Sequence, residues 1–143
     1  MTSQTLTLAP IDFVTGPLEV PFLLCRIPPG FPSPAQDDIE EPIDLAAWLM
    51  MHPAASYVMR VAGHSMTGAG INDGDLIIVN RAKRPLPGCI VVAIVHGERT
   101  LKRLRRRDGR LWLVAENTGF PPVIVDEHVE VWGVVEALAR RYP

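Results

Sequence analysis

A mainly β domain carrying one short helix and an extended N-terminal arm is the fold this sequence predicts, and three observations predict it. From Ser56 onward the apolar residues recur with a period of two. Ahead of that, residues 15 to 42 are crowded with prolines and turn formers. Only one stretch between them, IDLAAWLMMHP, has helical spacing.

The arm comes first. In TGPLEVPFLLCRIPPGFPSPAQDDIEEP each proline lacks a backbone N–H and fixes φ, which denies the segment both a helix interior and a central strand. Residues 1–42 are therefore read as an extended arm and residues 43–143 as the folded domain. In the helical stretch Asp44 can cap, Leu45, Trp48, Leu49 and His52 fall on one face, and Pro53 stops the pattern. That stripe is expected to pack on the core. The strands follow as SYVMRVA, DLIIVN, CIVVAIV, RTLKRL, RLWLVAE, VIV and VEVWGVVEAL, with His96-Gly97 and Asp108-Gly109 placed to turn tight hairpins.

Composition narrows the function. The 143 residues suit one domain plus an arm. Fourteen basic against 16 acidic residues argue against a protein held to nucleic acid or an anionic membrane by bulk charge. The local run RLRRRDGR reads as a solvated hairpin, because it has no interleaved aromatic residues, and direct DNA binding is not expected of it. Cys25 and Cys89 are too few for a disulfide framework and stand at no zinc-ligand spacing, so neither a metal nor any other cofactor is expected. No apolar run reaches the length of a membrane span and no leader pattern opens the chain; the expected location is the cytoplasm.

The chemistry-bearing segment is AGHSMTGAGINDGD, between two strands. It sets Ser65 on a glycine-flanked turn, where the Ser65–Met66 backbone could present N–H groups to a developing oxyanion. A serine hydroxyl needs a base, and the sequence has no GxSxG elbow and no evident Ser/His/Asp order. Lysine is the other option. In RTLKRL, alternation puts Lys102 on one face with Thr100 and Leu104; if that face is apolar, desolvation lowers its pKa and frees a neutral amine. His64 adjoins Ser65, but adjacent side chains diverge, so it reads as a solvated loop residue; His52, His96 and His128 share no common spacing and read the same way. Gly68-Ala69-Gly70 matches neither phosphate-loop pattern.

In order along the chain, GFPSPAQD, HPAASYVMRVAGHSM, GINDGDLIIVNR, PGCIVVAIVHGERTLKRL, ENTGFPP and VEVWGVV resemble the UmuD proteins of SOS mutagenesis and their LexA relatives. The resemblance covers about Gly30 to Val135 and implies a self-cleaving serine endopeptidase with a compact β-rich domain. It makes Ser65 the nucleophile and Lys102 the general base, and it places the cut between Pro29 and Gly30. It further implies a homodimer, stimulation by a RecA–single-stranded DNA filament, and a Y-family translesion DNA polymerase subunit as partner. This sequence departs from the family's pattern at three positions: Pro29 where Cys or Ala usually precedes the cut, His64 where Asp precedes the Ser-Met pair, and Cys89 where Asp is usual. The other reading to weigh is a dimeric accessory module of the same fold whose Pro28-Pro29-Gly30 arm is never cut. A LexA-like repressor is disfavoured, because the proline-rich arm cannot supply a helix-turn-helix.

Overall fold

The computed structural model describes residues 5–10, 19–23 and 39–143, with side chains from residue 42 onward. The strands are β1 (Thr5–Pro10), β2 (Glu19–Leu23), β3 (Ile39–Asp44), β4 (Ser56–Ala62), β5 (Leu76–Asn80), β6 (Ile90–Val95), β7 (Glu98–Arg107), β8 (Arg110–Val114), β9 (Val123–Ile124) and β10 (Val129–Ala139). The single α-helix among the described residues, α1 (Leu45–Leu49), follows β3 directly. Eight strands form one antiparallel sheet in the order β1-β4-β5-β10-β6-β7-β8-β9, and β2 pairs with β3 as a separate ribbon. The mainly β prediction holds.

The seven strands read from period-two alternation are all present, from β4 to β10. His96-Gly97 and Asp108-Gly109 turn the β6–β7 and β7–β8 hairpins, with all four residues at positive φ (49° and 80°, 51° and 74°). Two consecutive left-handed residues make the turn whose twist matches that of the flanking strands. β10 organises the sheet: its first half pairs with β6 and its second half with β5, so one long strand joins the two halves of the chain. At Gly133, where the β6 register shifts, a Cβ would come within 2.6 Å of Val79 Cγ1, so only glycine fits without a displacement.

Inward-facing side chains build two apolar clusters. Met59, Val61, Met66, Ile71, Ile77, Val79, Val92 and Leu101 form one, and Val91, Ala93, Leu104, Leu113 and Val134 the other. Leu101 and Leu104, an odd number of positions apart on β7, thus serve opposite faces, Leu101 the first cluster and Leu104 the second, as the pleat dictates.

The described parts of the arm are extended edge strands: β1 pairs along the edge of the main sheet with β4, and β2 pairs with β3. Proline still has its effect there, since the β2–β3 register shifts between Val20 and Phe22, across Pro21. The helix is shorter than its periodicity suggested, and no residue of it is buried. Asp44 caps it, accepting from the Ala47 N–H at 3.2 Å, but Leu45 and Trp48 stand exposed, so the apolar stripe does not pack on the core. Trp48 and Leu49 instead border a shallow groove with Ala137 and Leu138 of β10, outside both buried clusters.

Candidate active site

The turn after β4 is held from three directions. Gly63 leaves the strand at φ 104°, and its N–H donates to Asp73 Oδ1 at 2.8 Å. At the base of the loop, Val61 N–H donates to the Asp75 carbonyl at 2.8 Å and Gly74 N–H returns to the Val61 carbonyl at 2.7 Å. Asp75 is buried, takes Arg140 on both carboxylate oxygens and accepts the Asn72 N–H, and the Arg140 hydrogen bonds hold its carboxyl below the usual carboxylate range. The segment GINDGD is thus the buckle that closes the serine loop.

The far side of the loop is stitched to the chain after β8. Glu116 N–H donates to the Ser65 carbonyl at 2.9 Å, and Gly68 N–H donates to the Glu116 carbonyl at 2.6 Å. A Cβ on Gly68 would lie 2.4 Å from that carbonyl oxygen, which explains glycine here. Asn117 Nδ2 donates to the His64 carbonyl at 2.7 Å. The Glu116 carboxylate is itself anchored by Arg103 and, at 3.5 Å, by Arg105. Met66 pins the loop from below, its side chain fully buried in the first apolar cluster.

This scaffold brings Ser65 to Lys102. Lys102 Nζ donates to Ser65 Oγ at 3.2 Å, to Thr100 Oγ1 at 2.8 Å and to the Leu101 carbonyl at 3.2 Å. Both side chains are buried, Ser65 at 0% and Lys102 at 5% exposure. Burial pulls the Lys102 pKa down from 10.5 to about 8, because the ammonium loses hydration that its neutral partners replace only in part. The pairing of Thr100 with Lys102 follows from their shared face on β7. A buried lysine with a lowered pKa, hydrogen-bonded to a buried serine hydroxyl, is the arrangement that can move a proton off that hydroxyl at mildly alkaline pH.

A cleft of about 350 Å³ opens beside the pair. Glu98, Thr100 and Lys102, alternate residues of β7, line it, and Leu113, Phe120 and Val123 are among its apolar walls. The Phe120 ring centroid is 5.7 Å from Lys102 Nζ. A larger cavity of about 570 Å³ lies over Asp75 and Arg140, away from the serine–lysine pair.

These residues match a known family. The Peptidase S24-like family aligns with residues 21–136. The chain belongs to that family. Protein MucA of Salmonella typhimurium is 44% identical over 127 residues, covering 87% of this chain and 86% of its own length. Protein SamA of Salmonella typhimurium strain LT2 is 40% identical over 85% of both chains. LexA repressor 1 of Pseudomonas syringae pv. tomato is 43% identical over 119 residues, 81% of this chain but 58% of the repressor. Kinship with the UmuD-type proteins of SOS mutagenesis and their LexA relatives, first read from the motifs, is thereby shown, and with it a serine peptidase family of the LexA/UmuD type.

Among the remaining sites predicted for this Peptidase S24-like chain, Pro29 and Gly30 lie outside the described residues, as does Cys25. Cys89 is a free, half-buried thiol. Histidines 52, 64, 96 and 128 are all exposed, as expected of solvated residues. The sequence treated His96 and His128 as unrelated, yet their rings stack with centroids 5.4 Å apart, because β10 enters the sheet beside the β6–β7 turn. Of the arginine run, Arg105, Arg106, Arg107 and Arg110 are exposed, whereas Arg103 is spent on Glu116 and the Gly88 carbonyl. Thr100, Glu116, Asn117 and Phe120 were not singled out as site residues, although the last three lie in ENTGFPP, one of the stretches that carry the resemblance. No described helix is long and apolar enough to cross a membrane.

Proposed function

We propose that this protein is a self-cleaving serine endopeptidase of the SOS response that cuts its own arm between Pro29 and Gly30, with Ser65 as nucleophile and Lys102 as general base. The observation that carries the reading is the 3.2 Å contact between Lys102 Nζ and Ser65 Oγ, made where burial lowers the lysine pKa to about 8. Once neutral, Lys102 accepts the Ser65 hydroxyl proton as Oγ adds to the Pro29 carbonyl. The Ser65–Met66 backbone amides are the proposed donors to the oxyanion. Collapse breaks the Pro29–Gly30 bond, Lys102 returns the proton to the Gly30 amine, and water then releases Pro29 from the acyl-serine through the same base.

Kinship with UmuD-type proteins supports the wider setting: a homodimer in the cytoplasm whose cleavage is stimulated by a RecA–single-stranded DNA filament and which serves a Y-family translesion polymerase subunit. The second reading, an accessory module of the same fold that is never cut, is favoured by Pro28-Pro29, which removes two N–H groups beside the bond to be broken. Intact-mass measurement with and without an activated RecA filament separates the two. The parent should lose residues 1–29, and Ser65→Ala and Lys102→Ala should each stay full length while remaining folded. Unchanged processing in either variant overturns the dyad.

A further inference from the structure

Glu98, Thr100 and Lys102 lie on the same face of β7 and line one cleft, with Lys102 against Ser65 and Glu98 at the far end beside His96. Four residues of extended chain separate Glu98 from Lys102 by about 13 Å. A peptide threaded along this strip presents alternate residues to it, in step with the strand's own pleat.

We propose that the far end of this cleft, Glu98 with His96 beside it, is a specificity subsite for a cationic side chain four residues before the residue that follows the scissile bond, and that in this chain Arg26 fills it. The inference rests on the proposed cut at Pro29–Gly30. With Gly30 opposite Lys102, a segment running parallel to β7 sets Pro28 opposite Thr100 and Arg26 opposite Glu98. The opposite direction would bring Pro32 and Pro34 along the strip, with the acidic residues Asp37 and Asp38 beyond them. Charge decides between the two directions. Arg26 is the only Lys or Arg ahead of Arg60, whereas Asp37, Asp38, Glu40, Glu41 and Asp44 follow the bond. A carboxylate at the cleft's end attracts the first segment and repels the second. Thr100 accepts from Lys102 Nζ at 2.8 Å, and a proline docked opposite it in this register would bring no N–H to compete for its hydroxyl. The ion pair therefore supplies register that the two prolines cannot supply through backbone hydrogen bonds.

The test is a charge exchange in the full-length chain, read as the self-cleavage rate at alkaline pH by intact mass. Glu98→Lys and Arg26→Glu should each slow cleavage about fivefold, the scale of one partly exposed ion pair, and the double variant should recover most of the loss. Two slow single variants with no recovery in the double variant overturn the pairing, as do single variants that cleave like the parent. A second readout does not use the catalytic step. In the uncleavable Ser65→Ala chain, docking shields the Arg26–Ile27 bond from trypsin, and Glu98→Gln should speed tryptic cleavage there about fivefold while sites in the β7–β8 hairpin are unaffected. An equal tryptic rate with and without the Glu98 charge overturns the subsite. If the parent never cuts Pro29–Gly30 but trypsin shows the Glu98 effect, the self-cleavage reading fails and the docking contact stands.

Discussion

Lys102 is the residue on which the proposed chemistry turns, and its burial also bears on stability. Its pKa of about 8 places the change from ammonium to amine on the alkaline side of neutrality. The cleavage rate should rise about tenfold per pH unit below 8 and level off above it, because only the neutral form accepts the serine proton. A rate flat from pH 6 to 10 in a folded protein would exclude a titrating lysine base. The same shift has a thermodynamic sign. Between about pH 8 and 10.4 the unfolded chain binds the lysine proton and the folded chain does not, so stability rises with pH across that window. Below pH 8 the burial penalty is fully present, at most about 3 kcal/mol. Lys102→Met lacks this dependence. Its stability relative to the parent should therefore fall by up to that amount as pH is raised from 7 to 10.5, measured by denaturant titration. A difference independent of pH would mean that the buried lysine carries an ordinary pKa.

At the scale of elements, the serine loop is positioned by contacts whose partners lie far off in sequence. The Gly68–Glu116 and Ser65–Glu116 backbone bonds tie it to the chain after β8, and Arg103 on β7 ties Glu116 back to the strand that carries Lys102. Serine loop and lysine strand are thus fixed to one common residue. Gly68→Ala drives a methyl group into the Glu116 carbonyl, and backbone cannot yield as a flexible side chain can. The expected cost is about 1–3 kcal/mol of stability. The expected loss of cleavage should exceed what that destabilisation explains, because Ser65 moves relative to Lys102. Parent-like cleavage by Gly68→Ala would show that the stitch does not set the geometry.

On the scale of the whole molecule, the antiparallel sheet supplies a rigid cleft and the arm supplies its proposed substrate. Pro28 and Pro29 forfeit two donors that an extended segment would otherwise pair with the cleft, each pair being worth on the order of 1 kcal/mol. Pro29→Ala restores one donor and should speed cleavage several-fold with the same RecA dependence, followed by intact mass. A cut that stays at Pro29–Gly30 and is no faster in the variant would mean that the prolines do not limit docking.

The local periodicities determined much of this protein by themselves. Alternation from Ser56 onward yielded seven strands and the two left-handed dipeptides yielded the hairpins; Ser65 and Lys102 were expected as a pair from motif and resemblance, and the fold sets them 3.2 Å apart. These are properties of neighbouring residues, and the pleat and turn geometry act at that range. What the tertiary structure decided lies beyond it. That β1 closes one edge of the sheet, that the α1 stripe finds no core to cover, and that Glu116 braces the serine loop all depend on which strands meet across the sheet. Even the lysine's lowered pKa, expected from an apolar face, required burial beside Leu113 and Phe120 in the folded molecule, because desolvation belongs to a three-dimensional surrounding and to no single segment of chain.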